Sequence, residues 1–521
     1  MNVTVANGRI QLRFRYDPST IELVKTIPGR RWEPDAKIWT LPASELTARM
    51  ACDLFGIEPQ AFDGLLPKEP APPPREVTDD VRAIPWRSTP YQHQLVGLAE
   101  LLGNNEWLLA WEMGTGKTAP TTVAIAEIMR SGEGLILVVC PKSVVAVWAA
   151  EFKKHAGIDN VVTILEATPV VRMRQLSLAA RGNCPVVTNY EQISTGIDDF
   201  KKFHWQIVVA DECQRVKTAT ARRSKCLRAL AEHAQRRWAL SGTPAPNGPL
   251  DWFGVLLFLD PSGGLAGTRY KRMFEETYGV RGLPIPGVPF RPIVSYKNLD
   301  DLRRRVARCS SRLKKEDCLD LPEKIYQTRP VTLAGEQARV YKTLRDNAVV
   351  KLKKLQEDST LTAANILTEH LRLLQVVGGF VPDDEGNEHE IEPNAKMAAL
   401  QELIEEIGDK QAVIWYGFLA EVSAAARLLG ERTLVLTWQV AQGDRDRAVR
   451  EFQAGDRQFL LGTAETGGVG LTLTAAEHMV FYSRKYSLEH WLQACDRAHR
   501  IGQTKNVVIT SLVAAGTIDE K

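Results

Sequence analysis

The sequence predicts an α/β protein of two lobes, each a parallel sheet wrapped by helices. A mostly helical segment joins the lobes, and a small α+β module precedes them. Three observations carry this reading. A length of 521 residues exceeds one ordinary core and points to two to four domains. Two separated blocks alternate short, continuously apolar runs with helix-like stretches, the rhythm of strands buried on both faces. The stretch "PKEPAPPPREVTDD", residues 67 to 80, reads as a stiff, solvated linker that sets the first 66 residues apart.

In chain order, "IQLRFRY", a helix-like "PSTIELVKTI" and "RRWEPDAKIWTLP" predict a β-α-β-β unit within residues 1–66. There Trp32 and Trp39 interleave with Arg30, Arg31 and Lys37, a mixture that stacks bases and pairs with phosphates, unless the tryptophans form the core of a tiny domain. Residues 67–84 are the linker. In residues 85–260, "GLILVVC" (134–140), "CPVVTNY" (184–190), "WQIVVADE" (205–212) and "RRWALSGT" (236–243) predict buried strands, with helices over 144–156 and 219–235. The rhythm breaks over 261–395, where Gly/Pro-rich and charged helical segments dominate. It resumes in 396–521 with "QAVIWYGF" (411–418), "RTLVLTW" (432–438), "QFLLGTA" (458–464) and "HMVFYS" (478–483). No short-period repeat is present.

Composition excludes several classes. Apolar residues at 44% and charged residues at 25% are ordinary for a soluble globular chain, not a disordered or fibrous one. The eight cysteines are scattered without a C-x-x-C pair, which argues against a disulfide framework or a zinc site and for reduced thiols in a cytoplasm. The start "MNVTVANGRI" has no apolar h-region, and no apolar run approaches the roughly 18 residues of a membrane span. A net charge of +3 makes no case for nucleic acid by itself. Local clusters do: "ARRSKCLR" (221–228), "RR" (236–237) and "RRRVARCSSRLKK" (303–315). Each is either a phosphate-binding patch or a solvated helical face.

Three stretches carry chemistry. "WEMGTGKTAP" (111–120) matches the end of the P-loop pattern G-x-x-x-x-G-K-[ST], with Trp111 where the first glycine belongs and Gly114 as an extra turn. Between the strand "EWLLAW" and the helix "TAPTTVAIAEIMR", its backbone N–H groups would face phosphates. Lys117 would pair with the β- and γ-phosphates, and Thr118 would hold Mg²⁺. A glycine turn with an ordinary surface lysine is the alternative for this loop alone. "IVVADECQ" (207–214) puts two carboxylates after a strand: Asp211 for the Mg²⁺ shell and Glu212 to activate water, or else a helix start that favours acids. "QACDRAHRIGQ" (493–503) places Arg497 and Arg500 three apart, on one face if helical, as cations for a developing phosphoryl charge. Together they predict ATP bound in a cleft, with arginines reaching across from the second lobe, so that hydrolysis follows lobe closure.

These motifs resemble those of the SWI/SNF-type ATPases of helicase superfamily two over nearly all of residues 85–521. "TPYQHQ" (89–94) is similar to the glutamine motif, which implies Gln92 as the adenine reader, and "WEMGTGKT" resembles motif I with Gly114, Thr115, Gly116, Lys117 and Thr118 around the phosphates. "CPKSVVAVWAAEFKK" (140–154) resembles motif Ia, and "VVTNYEQI" (186–193) motif Ib. "DECQRVKT" (211–218) resembles motif II with Cys213-Gln214 in place of Ala-His, a departure that bears on coupling to motif III, "LSGTPAPNGPLDWFGVLLFLDP" (240–261). "LLGTAETGGVGLTLTAAEHMVFY" (460–482) resembles motif V, adding Gly470 to the nucleotide set, and "QACDRAHRIGQTKNV" motif VI. The usual aromatic-Asn-Pro before motif VI is replaced by "SRKYSLEHW".

The resemblance implies two RecA-like lobes, translocation on double-stranded DNA, and backbone contacts from Lys142, Ser143, Thr188, Asn189 and Thr463, although each of these is also an ordinary turn residue. The pattern Arg31-Trp32-Glu33-Pro34…Trp39 resembles the HARP domain beside the ATPase of annealing helicases, which implies binding to forks or junctions through Arg31 and Trp32. The expected protein is a monomeric, cytoplasmic, bacterial or phage DNA-dependent ATPase using ATP and Mg²⁺, with a replication, repair or transcription protein as possible partner. The alternatives are a motor that displaces a protein such as RNA polymerase, a non-hydrolysing ATP-dependent clamp, and a strand separator. The end at "GTIDEK", where the family continues into a helix, suggests a truncated chain.

Overall fold

The structure, a computed structural model, describes residues 77–283, 291–357, 363–464 and 471–520 apart from 131, 133, 384, 386 and 486. Of the first 76 residues it describes 2–6, 9–14, 17–25, 27, 30–34, 36–43, 48, 51, 52, 55, 57 and 61. Among the described residues no helix is long and apolar enough to cross a membrane.

The N-terminal module is a four-stranded antiparallel sheet of β1 (Asn2–Ala6), β2 (Arg9–Arg13), β3 (Arg31–Glu33) and β4 (Ile38–Pro42), in the order β1-β2-β4-β3, with the helix Pro18–Lys25 beside it. It is therefore β-β-α-β-β, one strand more than the sequence pattern predicts. "NVTVA" is too short and polar to stand out until its pairing with β2 is seen. Ile10 and Leu12, alternating on β2, bury against Val24, Leu41 and Ala51.

The first large sheet contains β5 (Glu106–Trp111), β6 (Leu135–Cys140), β7 (Val162–Ile164), β8 (Val186–Asn189), β9 (Trp205–Asp211) and β10 (Arg236–Leu240). After a small hairpin of β11 (Gly279–Arg281) and β12 (Ile293–Tyr296), β13 (Ser310–Leu313) joins it. The order is β13-β5-β10-β9-β6-β8-β7, all parallel. The second sheet takes β14 (Lys324–Val331), then, after the hairpin β15 (Phe380–Pro382) and β16 (Glu388–Glu390), the strands β17 (Ala412–Tyr416), β18 (Thr433–Leu436), β19 (Phe459–Thr463), β20 (His478–Phe481) and β21 (Val507–Ala514). Its order is β14-β21-β20-β17-β19-β18, again parallel.

The continuous apolar runs are explained by burial on both faces. On β6, Ile136, Val138 and Cys140 enter one core with the helices Gln92–Gly103 and Thr118–Arg130. Leu135, Leu137 and Val139 enter the other, with the helices Tyr190–Phe200 and Trp252–Leu259. β17 divides likewise, Val413 and Trp415 to one side and Ile414 and Tyr416 to the other. Each such side chain contributes roughly 1.5–3 kcal/mol on burial. The segment 261–395 is not helical throughout: β13 completes the first sheet and β14 opens the second. Its helices are Lys271–Tyr278, Leu299–Ala307 and the longer pair Gly335–Glu357 and Ala363–Gly378.

Trp111 is fully inside the first lobe. A methyl group on Gly97 would stand 2.3 Å from its ring, so the helix Gln92–Gly103 approaches the sheet only because that position is glycine. Its Nε1 donates to Ser311 Oγ (3.1 Å), Ser311 donates to Glu100 Oε2 (2.6 Å), and Trp107 Nε1 donates to the same carboxylate (3.2 Å). This network fastens β13 and the helix to β5. We expect Gly97→Ala to destabilise the protein by about 1–3 kcal/mol through overpacking. Denaturant unfolding should show most of that loss relieved in the double variant with Trp111→Leu, and a full-size loss in the double variant would refute the contact.

Candidate nucleotide site and strand-end surface

The loop 112–117 links β5 to the helix Thr118–Arg130. Gly114 (φ 81°) and Gly116 (φ 78°) are left-handed, which glycine adopts without the Cβ penalty. A methyl on Gly116 would stand 2.6 Å from Gln94 Nε2. Thr115 is buried, its hydroxyl donating to Glu112 O at 2.8 Å. Lys117 Nζ folds back over the loop and donates to Trp111 O (2.9 Å) and Glu112 O (3.2 Å). Loss of hydration lowers the lysine's pKa, opposed by the charges of Glu212 and Asp211.

Gln92 lies exposed at the helix start. Gln94, buried, donates to Gly116 O (3.4 Å) and accepts from Tyr91 N (3.0 Å), and His93 Nε2 donates to Thr115 O (2.8 Å). The glutamine that touches the loop is Gln94. The helix starts at Gln92, so its first side chain points outward and the one two positions on points in.

The acidic pair closes β9. Asp211 Oδ2 accepts from Trp148 Nε1 (2.8 Å), and Asp211 Oδ1 accepts from Glu212 N (2.9 Å). Burial, with the neighbouring Glu212 charge, pushes Asp211 up to about 6, while Trp148 and Lys117 oppose the shift. Glu212 takes a left-handed backbone (φ 50°), an uncommon conformation for a side-chain-bearing residue. Gln214 Nε2 donates to Glu212 Oε2 (2.9 Å), and Ser241 Oγ donates to Gln214 Oε1 (2.7 Å). The Gln214 that departs from the motif pattern thus bridges the carboxylate to the loop after β10.

The second lobe supplies the other wall. The helix Leu488–Ala498 ends before Arg500, so the two arginines do not share a helix face as their spacing predicts. Instead both guanidiniums converge on Leu471 O, at 3.5 Å from Arg497 and 3.2 Å from Arg500. Arg497 is buried and its pKa is lowered to about 10 by burial and by Arg500. A methyl on Gly114 would stand 3.0 Å from Arg500 Cβ and 3.2 Å from Lys315 Cε, so the lobes meet over the glycine loop. Lys315 and Asp496, joined at 2.6 Å, belong to this seam, and only tertiary structure reveals them. Gly470 lies outside the described residues.

The remaining candidates divide. Lys142 is exposed and paired with Glu166, Ser143 is half-buried beside it, and both follow β6. Asn189 ends β8 and donates to Glu191 Oε2 (2.7 Å), while its Oδ1 has no hydrogen-bond partner among the described residues. Thr188 is fully buried with its hydroxyl on Ile164 O (2.9 Å), so it belongs to the core and offers nothing to a phosphate. Thr463 ends β19 and lines a recess with Ser483, Arg484, Lys485 and His490. Trp32 is 47% exposed, its ring 5.4 Å from that of half-buried Trp39, and Arg31 is exposed beside it.

Of the three basic clusters, 221–228 keeps Arg222, Arg223 and Lys225 exposed on the helix Arg222–Ala231, while the other two are largely engaged internally. Arg236 donates to the carbonyls of Leu101, Leu102 and Asn104, and Arg237 to those of Leu259, Ala231 and Ala234. In 303–315, Arg303 pairs with Asp300, Arg304 and Arg305 with Asp301, and Lys314 with Glu316, leaving Arg308 and Arg312 exposed.

These residues fit a nucleoside triphosphate with Mg²⁺. A left-handed glycine loop opens a 13-residue helix, a lysine and two carboxylates face it, and Mg²⁺ needs only one or two carboxylates besides phosphates and water. Thr118, Lys117 and Asp211 are the residues that would hold that pair. We expect Gln94→Ala to weaken ATP binding roughly 2- to 10-fold, the worth of one or two neutral hydrogen bonds, and Gln92→Ala to leave it unchanged. Calorimetric titration with a non-hydrolysable ATP analogue reads both, and the reverse ranking would restore Gln92.

Two family models match the chain. The SNF2-related domain model matches residues 91–378, and the helicase conserved C-terminal domain model matches residues 395–502. An uncharacterized ATP-dependent helicase of Mycoplasma genitalium is 27% identical over 83% of this chain and 40% of its own length. The mouse DNA excision repair protein ERCC-6-like is 25% identical over the same shares. The chain thus spans about two fifths of the length of these relatives. A SWI2/SNF2 ATPase core of Sulfolobus solfataricus solved in complex with dsDNA aligns over 84% of this chain and 90% of that one at 25% identity, with a TM-score of 0.41, below the range in which superposition carries a conclusion. The first model covers more than half of the chain, and the chain belongs to the SNF2-related family, with a helicase conserved C-terminal domain following the SNF2-related one.

Proposed function

We propose that the chain is the motor core of an ATP-driven translocase on double-stranded DNA, directed by its first 66 residues to forked or partly unwound structures. The observation that carries this reading is the meeting of Lys117, Asp211 and Glu212 from the first sheet with Arg497 and Arg500 from the second across one seam. A site assembled from two lobes ties hydrolysis to their relative position, which is what a motor requires. Glu212, left-handed and held by Gln214, is the general base toward water. Lys117 and the arginines stabilise charge developing on the transferred phosphoryl. Mg²⁺, held by Thr118 and Asp211, neutralises phosphate charge when bound.

The DNA part of the reading rests on strand ends. Lys142 and Ser143, Asn189, Thr463, and Arg484 with Lys485 lie at or just past the carboxyl ends of β6, β8, β19 and β20, where open parallel sheets place ligands. Hydroxyls, amides and cations are the groups that contact a nucleic-acid backbone irrespective of sequence. Exposed Trp32 with Arg31 supports the HARP-like role of the N-terminal module, since an aromatic face beside a cation stacks unpaired bases. The relatives' names, an ATP-dependent helicase and a DNA excision repair protein, support the same class.

Steady-state ATP hydrolysis at fixed salt, without DNA and with single strand, blunt duplex or fork, tests the reading. Duplex and fork should stimulate hydrolysis. Lys117→Ala should abolish the stimulation, Glu212→Gln should lower kcat by about 10²–10⁴, and Arg500→Ala by about 10³–10⁵. Full activity in all three variants would refute it. Trp32→Ala should remove a preference for fork over blunt duplex while leaving duplex-stimulated kcat intact, and a retained preference would take substrate choice away from that module. Gln214→Ala should lower kcat by about tenfold or more with little change in KM for ATP, and combining it with Ser241→Ala should add nothing further. Additive losses would show that the bridge does not act as a unit.

A further inference from the structure

Lys315 is a second buried lysine at the nucleotide loop. It stands two residues after β13, on the first lobe, and is 6% exposed. Its backbone N–H donates to Glu112 Oε2 (3.0 Å), and Glu112 N donates to Leu313 O (2.9 Å), so the start of the glycine loop holds it in place. Its Nζ crosses the seam and donates to Asp496 Oδ1 (2.6 Å) and to His499 O (2.8 Å). Those acceptors directly precede Arg497 and Arg500. The same carboxylate oxygen of Asp496 accepts from Lys324 Nζ (2.9 Å), at the start of β14, and His499 Nε2 donates to Pro322 O (2.7 Å). A methyl on Gly114 would stand 3.4 Å from Lys315 Nζ, so the ammonium lies over the left-handed glycine of the loop.

We propose that Lys315 is a positioning residue for hydrolysis, whose ammonium, anchored to the glycine loop through Glu112, sets the backbone of 496–500 and with it the reach of Arg497 and Arg500 over the phosphates. Stability alone is a weak reason for such a contact. Desolvating two charges offsets most of the attraction between them, and buried pairs add little net stability over apolar replacements. Geometry is a better reason, because the lysine touches the loop and the residue before each arginine. Burial lowers its pKa to about 8, with Asp496 and Glu112 opposing and Lys324 reinforcing the shift. The titratable groups facing it are Asp496, Lys324, Glu112, His499, Cys495, Cys318 and, across Gly114, Arg500.

This proposal rests on the ATPase reading, and its test separates the two. For the full chain at saturating ATP and duplex DNA, Lys315→Met should lower kcat about tenfold or more with KM for ATP within about threefold, and Lys315→Arg should recover most of the loss. Asp496→Asn should match Lys315→Met, and the pair together should add nothing. As pH rises through about 8, the wild-type lysine loses its proton and kcat should fall. Lys315→Arg should lack that component. Hydrogen exchange supplies a readout that needs no hydrolysis: amides of 496–503 should exchange about tenfold faster or more in Lys315→Met and at the wild-type rate in Lys315→Arg. Unchanged kcat in Lys315→Met, a loss confined to KM, an arginine variant as defective as methionine, or unchanged exchange would each overturn the proposal. If the wild-type protein hydrolyses no ATP, the functional reading fails, and exchange alone decides the role of Lys315.

Discussion

The two sheets of this protein are tied by a short chain segment: β13 ends the first at Leu313 and β14 opens the second at Lys324. The residues 314–323 between them, fully extended, reach at most about 36 Å, and here they are folded into a turn. Because β13 pairs with β5, the strand that delivers the glycine loop, the tether starts at the nucleotide site. The arginines of 497–500 are therefore held within reach of Gly114, and the lysine on that tether is buried against both. The rest of the site depends on this connection. Without β13 in the first sheet, neither Trp111 nor Glu112 has its partner on it.

The chemistry stands on rigid supports. Strands buried on both faces fix where they end, and the candidate site groups sit at those ends or on the loop that follows. Asp211 closes β9, Lys117 follows the loop after β5, and Asn189 and Thr463 close β8 and β19. Precision then comes from single hydrogen bonds. Trp148 orients one carboxylate, and Gln214 orients the other and passes its position to Ser241. Burial lowers the pKa of Lys117, and the charges of Glu212 and Asp211 oppose that shift. The left-handed backbone of Glu212 is a local cost that surrounding structure sustains, as is common where a side chain must be aimed.

Positive charge in the sequence proved only a partial guide to positive charge on the surface: Arg222, Arg223 and Lys225 are exposed, but the other clusters are largely engaged. Arg236 and Arg237 cap carbonyls at the ends of helices and loops, and the run 303–315 is mostly paired with its own neighbouring acids. A guanidinium with five donors satisfies several buried carbonyls at once, so clustered arginines serve the interior as readily as a phosphate. The case for nucleic acid therefore rests on placement at the strand ends and on one exposed tryptophan, not on the number of basic residues.

The amino-acid sequence by itself determined the fold class, most strands of both sheets, the glycine loop, the acidic pair and the arginine segment. Each of these is written in local spacing: burial on two faces demands continuous apolar runs, and a phosphate loop demands glycines beside a lysine. Only the tertiary structure decided which side chains face the site. It set Gln94 against the glycine loop, moved Thr188 into the core, ended the helix before Arg500, added β1 and β13, and brought Lys315 to Asp496. The decisive contacts lie far apart along the chain, as in Trp111 to Ser311 and Lys315 to His499. A spacing rule describes a helix or strand in isolation, whereas the side a residue faces is settled by what packs against it from a distant part of the chain.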